Sequence, residues 1–193
     1  MIETLKGMVE KAKGIPFLFT IRSEKEGGES ISLSESEKVS LLAELCSTQL
    51  VDAVDYELMH DVTHIQQVSQ AAKRNGITLI VSYHDFQRTP EVDRLVQLFV
   101  NAESVGADIA KIAVMPYSYD DALTLLSATS HAKKQLSIPV ISMAMGGIRG
   151  FYKNDWRTFW ICHDLCCRER KLSSRASGDT GFEQCSIYCV FKE

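Results

Sequence analysis

Four things are scarce in this 193-residue sequence, and each scarcity excludes a class of protein. Basic charge is not in excess: 21 lysines and arginines face 25 aspartates and glutamates, for a net charge of −4. A dedicated nucleic-acid binder usually carries a basic footprint. Long apolar runs are missing as well, since none reaches the roughly 18–20 residues needed to span a bilayer. The opening MIETLKGMVEKAKGIPF alternates charge with apolar residues and lacks the apolar core of a signal peptide. These absences lead to the expectation of a cytoplasmic protein with no nucleic-acid and no membrane partner. Cysteine is nearly absent from most of the chain: Cys46 is alone in the first 161 residues. Finally, no glycine-rich phosphate loop of the GxGxxG or GxxxxGK(S/T) type follows any apolar run.

What is present is a regular alternation. Hydrophobic residues make up 45% of the chain, ample for the core of one domain. Ile2 to Lys13 reads as an amphipathic helix, with apolar residues at 2, 5, 8, 9 and 12. Pro16 to Ser23 reads as a strand, followed by a turn at Glu26-Gly27-Gly28. Ser34 with Glu37 forms a capping box that opens a helix to about Gln49. A strand at Leu50 to Leu58 leads to a helix from Val62 to Arg74, closed by Asn75-Gly76. A third strand spans Thr78 to Phe86, and Thr89 and Pro90 open a helix to about Val105 as N-cap and first helical residue. Ala107 to Pro116 is a fourth strand, Asp120 to about Lys134 a helix, and Pro139 to Gly146 a fifth strand. Strands this uniformly apolar are buried on both faces, which indicates an α/β fold on a parallel sheet. A doubly wound sheet and a TIM barrel both satisfy the pattern; the missing phosphate loop favours the barrel.

Ionisable residues gather toward the C-terminal ends of these strands, the edge at which barrel enzymes assemble their sites. Arg22 ends the first strand, with Glu26 just beyond; the second ends in Asp55-Tyr56-Glu57 and the third in Tyr83-His84-Asp85. Lys111 is the one cation in the apolar fourth strand. Sequestration there disfavours an ammonium and leaves a neutral amine able to attack a carbonyl. The plainer alternative is a lysine whose stem lies along the surface while its head reaches water. His84, one strand away, is the natural proton carrier for such an amine, because an imidazole ordinarily titrates near 6.5. Arg22 offers a planar fork for a substrate carboxylate. Asp55, Glu57 and Asp85 either orient His84 or pair with Arg22. His60, His64 and His131 lack metal-ligand spacing and read as ordinary surface residues.

The segments FTIRSEKEGG, VDYEL, VSYHDFQRTP, GADIAKIAVMP and PVISMAMG, in that order, resemble type I 3-dehydroquinate dehydratase over residues 1 to about 146. The pairing of SYHDF with a downstream KIAVMP is the specific part. The resemblance implies a partial TIM (β/α)8 barrel of about five β/α units, strands 3 to 7 of eight. It also implies a metal-free, cofactor-free lyase of the shikimate pathway, cytoplasmic and homodimeric in the intact family, which acts on 3-dehydroquinate. By motif it makes Lys111 the Schiff-base lysine and His84 the general acid/base. Arg22 and Glu26 become substrate-binding; from its own place on the second strand, apart from the resemblance, Glu57 is the candidate acid to orient His84.

Two departures from the family pattern accompany the resemblance. The family begins with two further β/α units carrying a Glu-x-Arg substrate-binding motif, whereas Met1 here stands just before the helix that precedes the third strand. After Gly146 the family continues through an arginine to a Gly-Glu-x-Phe-Gly-Ser stretch, whereas this chain reads GFYKNDWRTFWICHDLCC. Back-translation of Phe151 to Asp164, moved forward by one nucleotide, permits a segment containing Met-Thr-Gly-Glu-Leu-Phe-Gly-Ser. The expectation is therefore a barrel portion at 1–146 and an aberrant, frameshifted, non-native tail at 147–193, with both sheet edges bare and little turnover by this chain. The cysteines crowded at 162, 166, 167, 185 and 189 match no paired CxxC zinc spacing, and shifted codons explain them better than a metal does. Two other readings remain beside the dehydratase: another Schiff-base lyase such as a class I aldolase, and a non-catalytic decayed fragment or zinc-binding interaction protein.

Overall fold

The computed structural model of the chain describes residues 2–12 and 15–145, together with the backbone of three strands at 159–162, 169–171 and 186–190. Two compact units make it up, one of residues 1–80 with 165–193 and the other of 81–164. Among the described residues no helix is long and apolar enough to cross a membrane.

The first unit contains α1 (Ile2–Ala12), β1 (Phe17–Thr20), α2 (Glu35–Thr48), β2 (Ala53–Glu57), α3 (Val62–Asn75) and the start of β3 (Thr78–Asp85). β1 and β2 pair in parallel, with Leu18 opposite Ala53 and Thr20 opposite Asp55. The expected capping box closes the N-terminus of α2: the Ser34 hydroxyl accepts from the Glu37 N–H, and the Glu37 carboxylate accepts from the Ser34 N–H at 2.8 Å. Gly76 ends α3 in the left-handed conformation that the Asn75-Gly76 pair foretells. Val39, Leu42, Leu45 and Cys46 of α2 and Ile65, Val68 and Ala72 of α3 recur at helical spacing and are buried. Each such Leu or Ile contributes about 1.5–3 kcal/mol relative to exposure.

In the second unit the rest of β3 is followed by α4 (Val92–Ser104), β4 (Ile109–Val114), α5 (Tyr119–Gln135) and β5 (Val140–Ala144). β4 and β5 are parallel, Lys111 lying opposite Ile141 and Ala113 opposite Met143. Leu95, Leu98, Phe99 and Ala102 form the buried stripe of α4, and Leu125, Ala128, Thr129 and Ala132 that of α5. A buried hydrogen bond of 2.7 Å between the hydroxyls of Thr129 and Ser142 ties α5 to β5. A second capping box, Ser118 with Asp121, opens α5 one residue earlier than its apolar pattern indicates.

Two expectations need correction. Thr89 and Pro90 do not begin α4, which starts at Val92 with Glu91 in the N-cap position. The Thr89 hydroxyl instead donates to the Met115 carbonyl at 3.0 Å, so a tie to the loop after β4 takes the group expected to cap the helix. The edges of the parallel strands are also not bare. β8 (Ser186–Val190) runs antiparallel along β1, β7 (Glu169–Lys171) along β8, and β6 (Phe159–Cys162) along β5. An edge strand presents a row of unpaired N–H and C=O groups, and a β-prone segment within reach satisfies them. The rest of the sequence after Met145, and every side chain there, lies outside the described residues. The frameshift and the zinc reading of the cysteines both fall there.

Candidate active site

In the first unit the site is an arginine held among carboxylates. Asp55 and Glu57 stand two apart on β2, so both project from the same face. Arg22, two residues beyond β1, reaches across to them: Nη2 donates to Asp55 Oδ1 at 2.9 Å and Nη1 to Glu57 Oε1 at 3.2 Å. Glu26 Oε2 lies 3.7 Å from the same Nη1. Asp55, Glu57 and Glu26 are all buried. Burial pushes the Arg22 pKa down, but the charges of Asp55, Glu57 and Glu26 outweigh it and leave the group above its ordinary value. For Glu57, burial pushes the carboxyl up. Hydrogen bonds from His60 and Ser23 and the charge of Arg22 prevail and hold it at about 2.

The backbone is shaped to make this possible. After Arg22 the chain turns through a short 3-10 segment, Glu24–Glu26, and Gly27 follows at φ 82°, a left-handed position that suits glycine. The Gly28 N–H then returns to the Ser23 carbonyl at 2.8 Å. The approach is so close that a Cβ on Gly28 would lie 2.0 Å from the carbonyl oxygen of Arg22. Gly28→Ala is expected to destabilise the chain by about 1–3 kcal/mol, the cost of forced backbone displacement, seen as a lower urea midpoint.

A second consequence concerns acid. Glu57 ordinarily titrates at 4.5 and is held at about 2 in the fold. Its folded value is depressed, so it stabilises the chain above about pH 4.5 and loses that contribution as pH falls toward about 2. The difference is worth roughly 3 kcal/mol. Urea unfolding at pH 6 and pH 3 should show the larger part of this loss, about 2 kcal/mol, in the natural chain and a much smaller one in Glu57→Gln.

His60 was expected to be an ordinary surface residue, and the structure corrects this. Its Nε2 lies 2.9 Å from Glu57 Oε2 and 3.5 Å from Glu35 Oε1. The ring packs on Tyr56 with centroids 5.0 Å apart. Tyr56 Oη donates to Glu35 Oε1 at 2.8 Å, and burial, reinforced by the Glu35 carboxylate, raises the phenol so that it remains a donor. His131 is exposed as expected, and His64 is half-buried. The available signal for His60 was its place three residues after Glu57, where the chain turns at the end of β2.

The second unit carries the amine and the imidazole. Lys111 is flanked in β4 by Ala110 and Ile112, both buried, but is itself only half-buried. Register explains the difference: Ala110 and Ile112 lie opposite Val140 and Ser142, which are buried, whereas Lys111 lies opposite the half-buried Ile141. Lys111 therefore lies on the more open face of β4. His84 is the penultimate residue of β3, the strand that neighbours β4, and its ring stacks on Phe86 at 6.5 Å and 19°. Asp85 accepts from the N–H groups of Gln87 and Arg88 at 2.9 and 3.1 Å, which shapes the turn after β3. Of the three acids left open by the sequence, Asp55 and Glu57 pair with Arg22, while Asp85 organises this turn. Among the described residues no cluster of histidine, cysteine, aspartate and glutamate has the form of a metal site.

Comparison with known proteins adds to this geometry. The family model of type I 3-dehydroquinase matches residues 1–150. A 3-dehydroquinate dehydratase from Geobacillus sp. (strain WCH70) is 49% identical over 148 residues, covering 77% of this chain and 57% of the relative. One from Albidiferax ferrireducens is 45% identical over 146 residues, covering 76% and 55%. The crystal structure of 3-dehydroquinate dehydratase from Geobacillus kaustophilus HTA426 superposes with a TM-score of 0.74 at 45% identity, covering 76% of this chain and 56% of that one. The chain thus spans little more than half the length of these relatives. Parallel strands alternating with helices, in the likeness of those structures, make the fold a partial β/α barrel and dispose of the doubly wound alternative.

Proposed function

Since the chain belongs to the type I 3-dehydroquinase family, we propose that it carries the chemistry for dehydrating 3-dehydroquinate to 3-dehydroshikimate through a lysine imine. The observation that carries this reading is the placement of Lys111 on the open face of β4 with His84 on the neighbouring strand. The Lys111 amine attacks the C3 ketone, and loss of water gives a protonated imine. That cation stabilises negative charge at C2, so His84 can remove the C2 proton. The electron pair expels the C1 hydroxyl, to which His84 returns a proton, and hydrolysis of the imine frees Lys111 with 3-dehydroshikimate. One water is lost overall, with no redox change and no cofactor.

Arg22 and Glu26 supply the substrate contacts in this reading. The guanidinium plane, fixed by Asp55 and Glu57, is oriented for a carboxylate or hydroxyl of the substrate. Glu57 serves as the buried acid that sets this orientation, its oxygens taken by Arg22, Ser23 and His60. The step belongs to aromatic amino-acid biosynthesis by the shikimate route, in the cytoplasm, and the functional form is a homodimer.

The test is competitive covalent capture. Borohydride added during incubation with 3-dehydroquinate should fix a saturating, one-to-one adduct, whereas an aldol substrate at the same concentration should leave the chain unlabelled. Equal capture of the two would favour an aldolase instead, and capture of neither would refute imine chemistry.

A further inference from the structure

The buried carboxylate that orients Arg22 is itself held from behind. Glu57 Oε1 accepts from Arg22 Nη1 at 3.2 Å and from the Ser23 N–H at 2.7 Å, so one oxygen grips both the guanidinium and the backbone that carries it. The other oxygen lies 2.9 Å from His60 Nε2. A carboxylate pinned at one oxygen can still rotate; pinned at both, it cannot. His60 is the group that supplies the second pin, and it is fixed in turn. Its ring packs on Tyr56, whose hydroxyl anchors Glu35, and Lys38 Nζ donates to the second oxygen of Glu35 at 3.2 Å. Glu35 stands in the first turn of α2, so a chain of polar contacts runs from that helix through His60 and Glu57 to Arg22.

We infer that His60 is a positioning residue for Arg22, acting through Glu57. The inference rests on the reading of Arg22 as a substrate contact. His60 itself touches no reacting atom in that reading. Its task is to keep the Glu57 carboxylate in the one rotation that presents Oε1 to Arg22 and Ser23. A side chain that donates from the same place should replace it, and an apolar ring of similar size should not.

The experiment uses the full 193-residue chain labelled with 15N. The guanidinium N–H signals of Arg22 are assigned by their disappearance in Arg22→Lys and followed in His60→Gln and His60→Phe. In the unaltered chain the Arg22 Nη protons should give separate, slowly rotating signals. These should persist in His60→Gln, whose amide can donate to Glu57 Oε2, and collapse in His60→Phe. The concentration of 3-dehydroquinate giving half-maximal borohydride capture should rise about tenfold in His60→Phe, the scale of one charge-assisted hydrogen bond, and return to within about twofold in His60→Gln. Unchanged Arg22 signals in a folded His60→Phe chain would overturn the inference. Collapsed Arg22 signals with unaltered half-saturation would support the positioning role and overturn Arg22 as a substrate contact. If His60→Phe fails to fold, the imidazole 15N shifts of the unaltered chain decide: a protonated Nε2 supports the inference, and a bare Nε2 overturns it.

Discussion

Lys111→Met is expected to abolish covalent capture of 3-dehydroquinate and to lower whatever dehydration the unaltered chain shows by about 10⁴-fold or more, the scale on which loss of a nucleophile acts. The substitution tests chemistry and spares the fold. Methionine keeps the length of the unbranched stem, and Lys111 is only half-buried on β4. The buried residues of β4, namely Ala110, Ile112, Ala113 and Val114, are all untouched. Stability should change by less than about 1 kcal/mol, as is usual away from core and network positions. Unfolding midpoints measured beside the capture assay separate a lost amine from a lost structure.

His84→Gln should divide the reaction at a different point. The amine remains, so the borohydride adduct should still form. Passage from adduct to 3-dehydroshikimate should slow by about 10²–10⁴-fold, the contribution of a positioned acid/base. His84 sits near the end of β3 with its ring against Phe86, outside the apolar core, so the variant should fold. Mass spectrometry of quenched time points distinguishes the two variants: no adduct in Lys111→Met, persistent adduct with delayed product in His84→Gln. A His84→Gln chain that forms neither would mean that the imidazole acts earlier, in imine formation.

Particular residues show how much of this was legible. Strands β1 to β5 and helices α1 to α5 follow from apolar spacing and from Ser34, Glu37 and Gly76, whose local roles need no tertiary information. Strand ends were read too long throughout. The first strand pairs only over Phe17–Thr20, yet Ile21 just beyond it is buried; Val51 and Ala107 are buried just ahead of β2 and β4. Apolar residues mark burial, whereas strand limits are set by hydrogen-bonded pairing, and a single sequence displays only the first. The start of α4 was misread for a related reason, because the Thr89 hydroxyl is claimed by Met115, 26 residues away.

The candidate site divides along the same line. Asp55 and Glu57 share a face because strands repeat every two residues, and this was readable, as was Arg22 just past the preceding strand. His60 was not, since its contact with Glu57 depends on the turn at 58–61 bringing the ring back beneath β2. The openness of Lys111 was also hidden. The composition of β4 is apolar on both faces, and only its register with β5 distinguishes the covered face from the open one.

The central claim is that one amine, that of Lys111, forms the imine. Peptide mapping of the borohydride-reduced chain after incubation with 3-dehydroquinate tests it most directly. The expected result is a single modified lysine, at position 111, in near-stoichiometric yield. A label spread over surface lysines with Lys111 intact would contradict it.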